Sequence, residues 1–206
     1  VDKPGAPQVT VAYGATHAPA SAPGRVARDA ACELLGDMPS SAIAQTLRDK
    51  LGAAPFATGS YPWRRGPGLW YWAGSVDRER TADVLRALDA RVRELHGRGP
   101  SPAEMAGATE RLARSIPQSF ETVGGIVGAV GKIATYGLGA DEMQTRESRV
   151  RALTAAEVKA AIPEPEAMKA VVVGDLVSIR AQLVALGWGE IEERDPNGTL
   201  VRTFSR

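Results

Sequence analysis

Leu69-Trp70-Tyr71-Trp72-Ala73-Gly74-Ser75-Val76 (LWYWAGSV), running directly into Asp77 to His96 (DRERTADVLRALDARVRELH), is the stretch on which the fold class turns. The first eight residues are aromatic-rich and read as a strand. On a strand Trp70 and Trp72 share one face, and Leu69, Tyr71 and Ala73 take the other. The residues that follow place Val84, Leu88, Val92 and Leu95 at helical spacing. They read as a long amphipathic helix that Asp77 can cap.

Upstream, Pro62 to Gly68 (PWRRGPG) has turn chemistry, and Ala53 to Tyr61 reads as a second strand, so the pair forms a hairpin. Gln8 to Ala15 (QVTVAYGA) alternates apolar and polar residues as a strand does. Pro23 to Leu35 is a helix ending at Gly36, and Ser40 to Leu51 is a shorter one with Ser40 as its cap. Downstream, Ser101-Pro102-Ala103-Glu104 and Thr154-Ala155-Ala156-Glu157 are capping boxes, each opening a helix. Helices are also expected over Phe120 to Tyr136, near Glu142 to Leu153, and from Leu176 to Leu186. Met168 to Val173 is a short apolar strand, and a charged, turn-rich tail follows from Gly187.

Strands at the front and helices in a block predict an α+β fold. It is a mostly antiparallel sheet with helices packed on one face, as a single domain over residues 1–206. A chain of this length buries a sizeable core without staples. Its 25 Lys and Arg against 24 Asp and Glu leave a net charge of +1. That balance argues against a nucleic-acid or anionic-membrane partner. No apolar run approaches the ~20 residues that span a bilayer. The single cysteine, Cys32, permits no internal disulfide and leaves the compartment open. The chain starts at Val1 with neither Met nor a leader, which says little about location.

Few residues here suggest chemistry. His17, Cys32 and His96 are far apart, and no His pair sits at i, i+4, so no zinc site is predicted. His96 reads as a helix-end histidine and His17 as a surface histidine in a polar loop. Cys32 reads as a small buried hydrophobe. Gly125 to Lys132 (GIVGAVGK) lacks the first Gly and the final Ser or Thr of a phosphate loop. It reads instead as a helix whose Gly124, Gly128 and Gly131 let another backbone approach. The aromatic cluster around Trp63, Trp70 and Trp72, beside Arg64 and Arg65, admits two readings. One is core packing. The other is an exposed interface patch, since aromatics and Arg are enriched at interfaces.

Several stretches together resemble the insulinase/pitrilysin-type zinc peptidases, which include the mitochondrial processing peptidases. They are Asp2-Lys3-Pro4-Gly5-Ala6-Pro7-Gln8, then Leu35 to Gly52 (LGDMPSSAIAQTLRDKLG), Val171-Val172-Val173-Gly174-Asp175, and Asp195-Pro196-Asn197-Gly198. The second is similar, without a gap, to that family's L-G-G-x-x-x-S-R-L-x-x-x-L-R-E-K-x-G. The resemblance covers nearly the whole chain and points to the family's C-terminal, zinc-free half. It implies the LuxS/processing-peptidase-like metallohydrolase fold. It also implies a catalytic half elsewhere, in the same full-length chain or on a partner subunit. That half carries H-x-x-E-H and the zinc; this one would bind no cofactor and would not be active alone.

In the family the zinc-free half lends an Arg and a Tyr to the peptide substrate. The resemblance places the Arg at Arg48. The Tyr falls at Ala53 or Pro55, neither of which can donate a hydrogen bond, and the S-R-L arginine is replaced by Ala42. Phe56 is the nearest aromatic and has no hydroxyl. Loss of an oxyanion donor typically costs ~3 kcal/mol of transition-state stabilisation. Arg48 and Phe56 are therefore expected to bind substrate; a surface ion pair is the other reading of Arg48. The resemblance implies a chamber-completing role for the chain, with a degenerate scaffold subunit as the alternative. A homo-oligomer is compatible with either, and exported bacterial members favour the periplasm over the cytoplasm.

Overall fold

The computed structural model describes residues 1–36, 43, 44, 47, 58–60 and 62–204. Its centre is a sheet of β1 (Gln8–His17), β2 (Thr58–Ser60), β3 (Gly68–Asp77) and β4 (Lys169–Val173), in the order β2-β3-β1-β4. Every pairing in it is antiparallel. The β1–β3 register sets Val9 opposite Val76 and Tyr13 opposite Trp72. Because side chains alternate across a strand, these residues with Val11 and Trp70 line one face, where all are buried.

That face is covered by α1 (Arg25–Leu35) and α2 (Thr81–Arg98). Val84, Leu88, Val92 and Leu95 of α2 are fully buried in the same cluster as the strand residues. Each such side chain contributes roughly 1.5–3 kcal/mol on burial. Asp77 does not cap α2. It is the last residue of β3, held extended opposite Gln8, and a short 3-10 turn over Arg78–Arg80 intervenes. The Thr81 hydroxyl donates to Arg78 O at 3.0 Å instead.

The helical block continues with α3 (Pro102–Gln118), α4 (Val123–Tyr136), α5 (Glu142–Arg151) and α6 (Ala155–Ala160). Both capping boxes form: Ser101 with Glu104 on α3, and Thr154 with Glu157 on α6. Thr122 caps α4, and Gly137 ends it in the left-handed region at φ 62°. After β4, α7 (Leu176–Val184) starts on Asp175, which accepts from Val177 N–H at 3.2 Å. Asp2 Oδ1 accepts the Leu176 N–H at 3.0 Å.

The tail is more regular than its composition predicts. β5 (Ile191–Arg194) and β6 (Leu200–Phe204) pair as an antiparallel hairpin. Asp195 Oδ1 closes the turn by accepting from Asn197 N–H and Thr199 N–H at 2.9 and 2.8 Å. The fold is thus the expected α+β arrangement, with antiparallel sheet and helices on one face.

Candidate functional site

Arg48 and Phe56 lie outside the described residues, as do Ala42, Ala53 and Pro55. The interface candidates separate cleanly. Trp70 and Trp72 are each only 1% exposed and belong to the core, so they offer no surface. Even-numbered residues of β3 face the helices, which decides between the two readings for this pair. Arg64 and Arg65 are exposed on the loop before β3.

Trp63, half-buried on that loop, organises a polar cluster between α1, α4 and α5. Its indole N–H donates to Asp29 Oδ1 at 3.0 Å. The guanidiniums of Arg25 and Arg146 lie 4.5 and 4.9 Å from its ring centroid, and Lys132 Nζ lies at 5.4 Å. Tyr136 meets the ring edge-on and donates its hydroxyl to Trp63 O at 2.9 Å. Beneath this, Glu142 takes Arg25 at 2.6 Å, Arg146 at 3.2 Å and also Arg149, while Arg146 reaches Asp29 at 2.8 Å. Asp29 and Glu142 are both 6% exposed.

The two carboxylates titrate in opposite directions. Burial pushes Asp29 above its ordinary range, against the pull of Arg146, the Trp63 N–H and Arg25. Burial also pushes Glu142 up, but Arg149 and Arg25 outweigh it and hold the carboxyl low. Composition does not announce this cluster. Its trace in sequence is two acid–base pairs at i, i+4, Arg25 with Asp29 and Glu142 with Arg146.

Beside Trp63 lies a cleft of about 330 Å³ between the end of α3, the length of α4 and the start of α5. Its apolar lining includes Ile116, Phe120, Ile133 and Met143, and its cations are Lys132 and Arg146. The glycine reading of α4 needs correction. A Cβ added at Gly124, Gly128 or Gly131 would meet nothing within 4 Å among the described residues, so no described backbone packs there. The close approach is at Gly125, where a Cβ would sit 2.2 Å from Ser119 O. The segment is helical throughout, not a phosphate loop.

The sheet face opposite the core carries Leu69, Tyr71 and Ala73 from β3, with Ala12 from β1 and Val171 from β4. Register aligns Ala73, Ala12 and Val171 in one row across the strands. Leu69 and Val171 are 45% and 55% exposed. Gly14 leaves room for its partner Tyr71, because a Cβ there would fall 2.7 Å from Tyr71 Cβ.

His17 is the last residue of β1 and not a loop residue. Its Nδ1 donates to Ala18 O at 2.7 Å, and its ring lies over Gly68, where an added Cβ would come within 2.0 Å. Burial pushes the imidazole down. His96 sits in the last turn of α2, with Nε2 3.2 Å from Glu164. Among the described residues, no three His, Cys, Asp or Glu side chains gather as a metal site requires. Among them, too, no helix is long and apolar enough to cross a membrane.

The family model for the peptidase M16 inactive domain matches residues 1–112. No curated protein sequence matches the chain. Among solved structures, the peptidase M16 inactive domain from Pseudomonas fluorescens is similar at TM-score 0.77 and 20% identity, over 84% of this chain and 42% of that one. A proposed zinc protease from Bordetella pertussis Tohama I is similar at TM-score 0.69 and 21% identity, over 84% of this chain and 96% of that one. The periplasmic protease PqqL from Escherichia coli is similar at TM-score 0.64 and 17% identity, over 84% of this chain and 20% of that one. At these identities the likeness is one of fold. The chain spans about two fifths of the length of the Pseudomonas protein it matches.

Proposed function

The chain belongs to the peptidase M16 inactive-domain family, and from that premise we propose that it closes the peptide chamber of a zinc metallopeptidase. The catalytic half, carrying H-x-x-E-H and the zinc, lies elsewhere in the full-length protein or on a partner subunit. The observation that carries this reading is the uncovered face of the sheet. Helices bury one side, while among the described residues no helix covers the other, where Leu69 and Val171 are exposed and Tyr71 and Ala73 half-buried, a face open to a second half.

In this role the chain contributes shape and binding. The peptide bond is cut in the other half, where zinc supplies an activated water. Arg48 is the residue here proposed to contact the peptide, together with Phe56 further along the chain. The likeness to a periplasmic protease supports a periplasmic location. The scaffold reading draws on Ala53 and Pro55, where the family's hydroxyl donor is lost.

The first test is elemental zinc analysis of the purified chain, with cleavage of a quenched fluorescent peptide followed in the same tube. Less than 0.1 equivalent of zinc (roughly, the trace level expected without a tetrahedral ligand set) and no cleavage fit the reading. Stoichiometric zinc with cleavage would sink it.

A further inference from the structure

We infer that the cleft beside Trp63 is an anchoring subsite for a peptide's C-terminal end, taking a free carboxylate and an apolar last side chain. The inference builds on the chamber reading for the source of the peptide. The cleft itself is argued from its own chemistry.

The charge around the cleft is not balanced. Lys132 and Arg146 line it with one carboxylate, Glu142, two cations against one anion, while Arg25, Arg149 and Asp29 pair with these from outside the lining. Glu142 is committed to three of the arginines and Asp29 to Arg146 and the Trp63 N–H. Among the described residues Lys132 faces only the ring of Trp63 and has no carboxylate in ion-pair reach. It is exposed, on the cleft wall, one turn beyond Gly128. An anion entering here meets a cation that no described carboxylate pairs with, backed by an aromatic ring.

The remainder of the lining is apolar, with Ile116, Phe120, Ile133 and Met143. At about 330 Å³ the cleft sits at the small end of ligand pockets, with room for one or two residues and not for a strand. A C-terminal residue meets both demands from a single Cα, since its side chain fills the apolar wall while its carboxylate reaches the cations. An internal Asp or Glu would bring the charge without the apolar body. The wall is open at Gly128, where an added Cβ meets no atom of the described residues within 4 Å.

The test is calorimetric titration of the whole 206-residue chain. The probe is an acetyl-capped pentapeptide of four alanines and a terminal phenylalanine, as the free acid and as the carboxamide. The free acid is expected to bind at least about tenfold tighter than the amide, a single ion-pair's worth of discrimination. Lys132→Gln should abolish that difference and leave the amide unchanged. Gly128→Leu, which fills the cleft from an exposed helix position, should weaken both peptides by about tenfold or more. Equal binding of acid and amide, no binding of the acid at millimolar concentration, or wild-type binding by both variants would overturn the assignment. Tighter binding of decanoate than of the peptide acid would also overturn it, since the occupant would then be a free fatty carboxylate. None of these titrations involves the catalytic half, so the subsite can fail while the chamber stands, and the reverse.

Discussion

Trp63 and Asp29, 34 positions apart, are joined by the indole N–H donating to Oδ1 at 3.0 Å. The bond ties the loop before β3 to the middle of α1, and Arg146 extends it to α5 through the other oxygen of Asp29 at 2.8 Å. Three segments remote in sequence therefore share one buried carboxylate.

Replacing that carboxylate should be costly. Asp29→Ala leaves the Trp63 N–H without its acceptor and Arg146 with Glu142 alone, in a setting where the remaining charges are already buried. A loss of about 3–5 kcal/mol is expected, as for breaking one side of a buried ion pair. Urea denaturation followed by far-ultraviolet circular dichroism measures it. A loss under about 1 kcal/mol, the worth of a surface pair, would mean that the cluster is solvated.

Two glycines three residues apart on α4 should respond with opposite signs. Gly125→Ala forces a Cβ to within 2.2 Å of Ser119 O and should destabilise by about 1–3 kcal/mol. Gly128→Ala meets nothing and should stabilise by up to about 1 kcal/mol through helix propensity. Paired thermal melts check both.

Glu104 supplies a pH dependence with a defined sign. Its hydrogen bond with Arg98 outweighs burial and, with those from Ser101 and Arg91, holds the folded carboxyl well below the usual carboxylate range. Folding thus favours the anion. The stabilisation is fully present above the unfolded value of about 4.3 and fades as pH falls through the lower folded value. Glu104→Gln should therefore be less stable than wild type at pH 7, and the gap should narrow on acidification below pH ~4. A gap that is constant from pH 7 to pH 2 would contradict the assignment.

The uncovered sheet face makes a separate prediction. Leu69→Asp changes an exposed position, so the unfolding midpoint should move by no more than about 0.5 kcal/mol in stability. Pull-down by the zinc-bearing half should nevertheless fall by at least roughly tenfold, since an unpaired charge is then buried between the halves. Unchanged capture would remove this face from the interface.

Much of the framework was legible because short-range rules decide it. Alternation in β1 and β3 places Val9, Val11, Tyr13, Trp70 and Trp72 on the core side, and the spacing of Val84, Leu88, Val92 and Leu95 fixes the buried side of α2. Both capping boxes stand where Ser101 and Thr154 announce them. What failed depended on longer-range pairing. Asp77 is held by Gln8 in the ladder and cannot cap a helix. The β5–β6 hairpin hides in a charged tail, because exposed two-stranded ribbons carry little apolar signal. Trp63 looks like Trp70 and Trp72 in sequence. Only the fold sets it among Arg25, Lys132 and Arg146 while the other two enter the core.

Reconstitution tests most directly whether this chain completes a peptidase. The H-x-x-E-H half is assayed on a quenched fluorescent peptide with increasing amounts of this chain, zinc being held constant. Little cleavage is expected from either part alone, with a saturable gain of about tenfold or more on mixing, because a second surface then completes substrate binding. Full activity of the zinc half alone, unchanged by this chain, would contradict it.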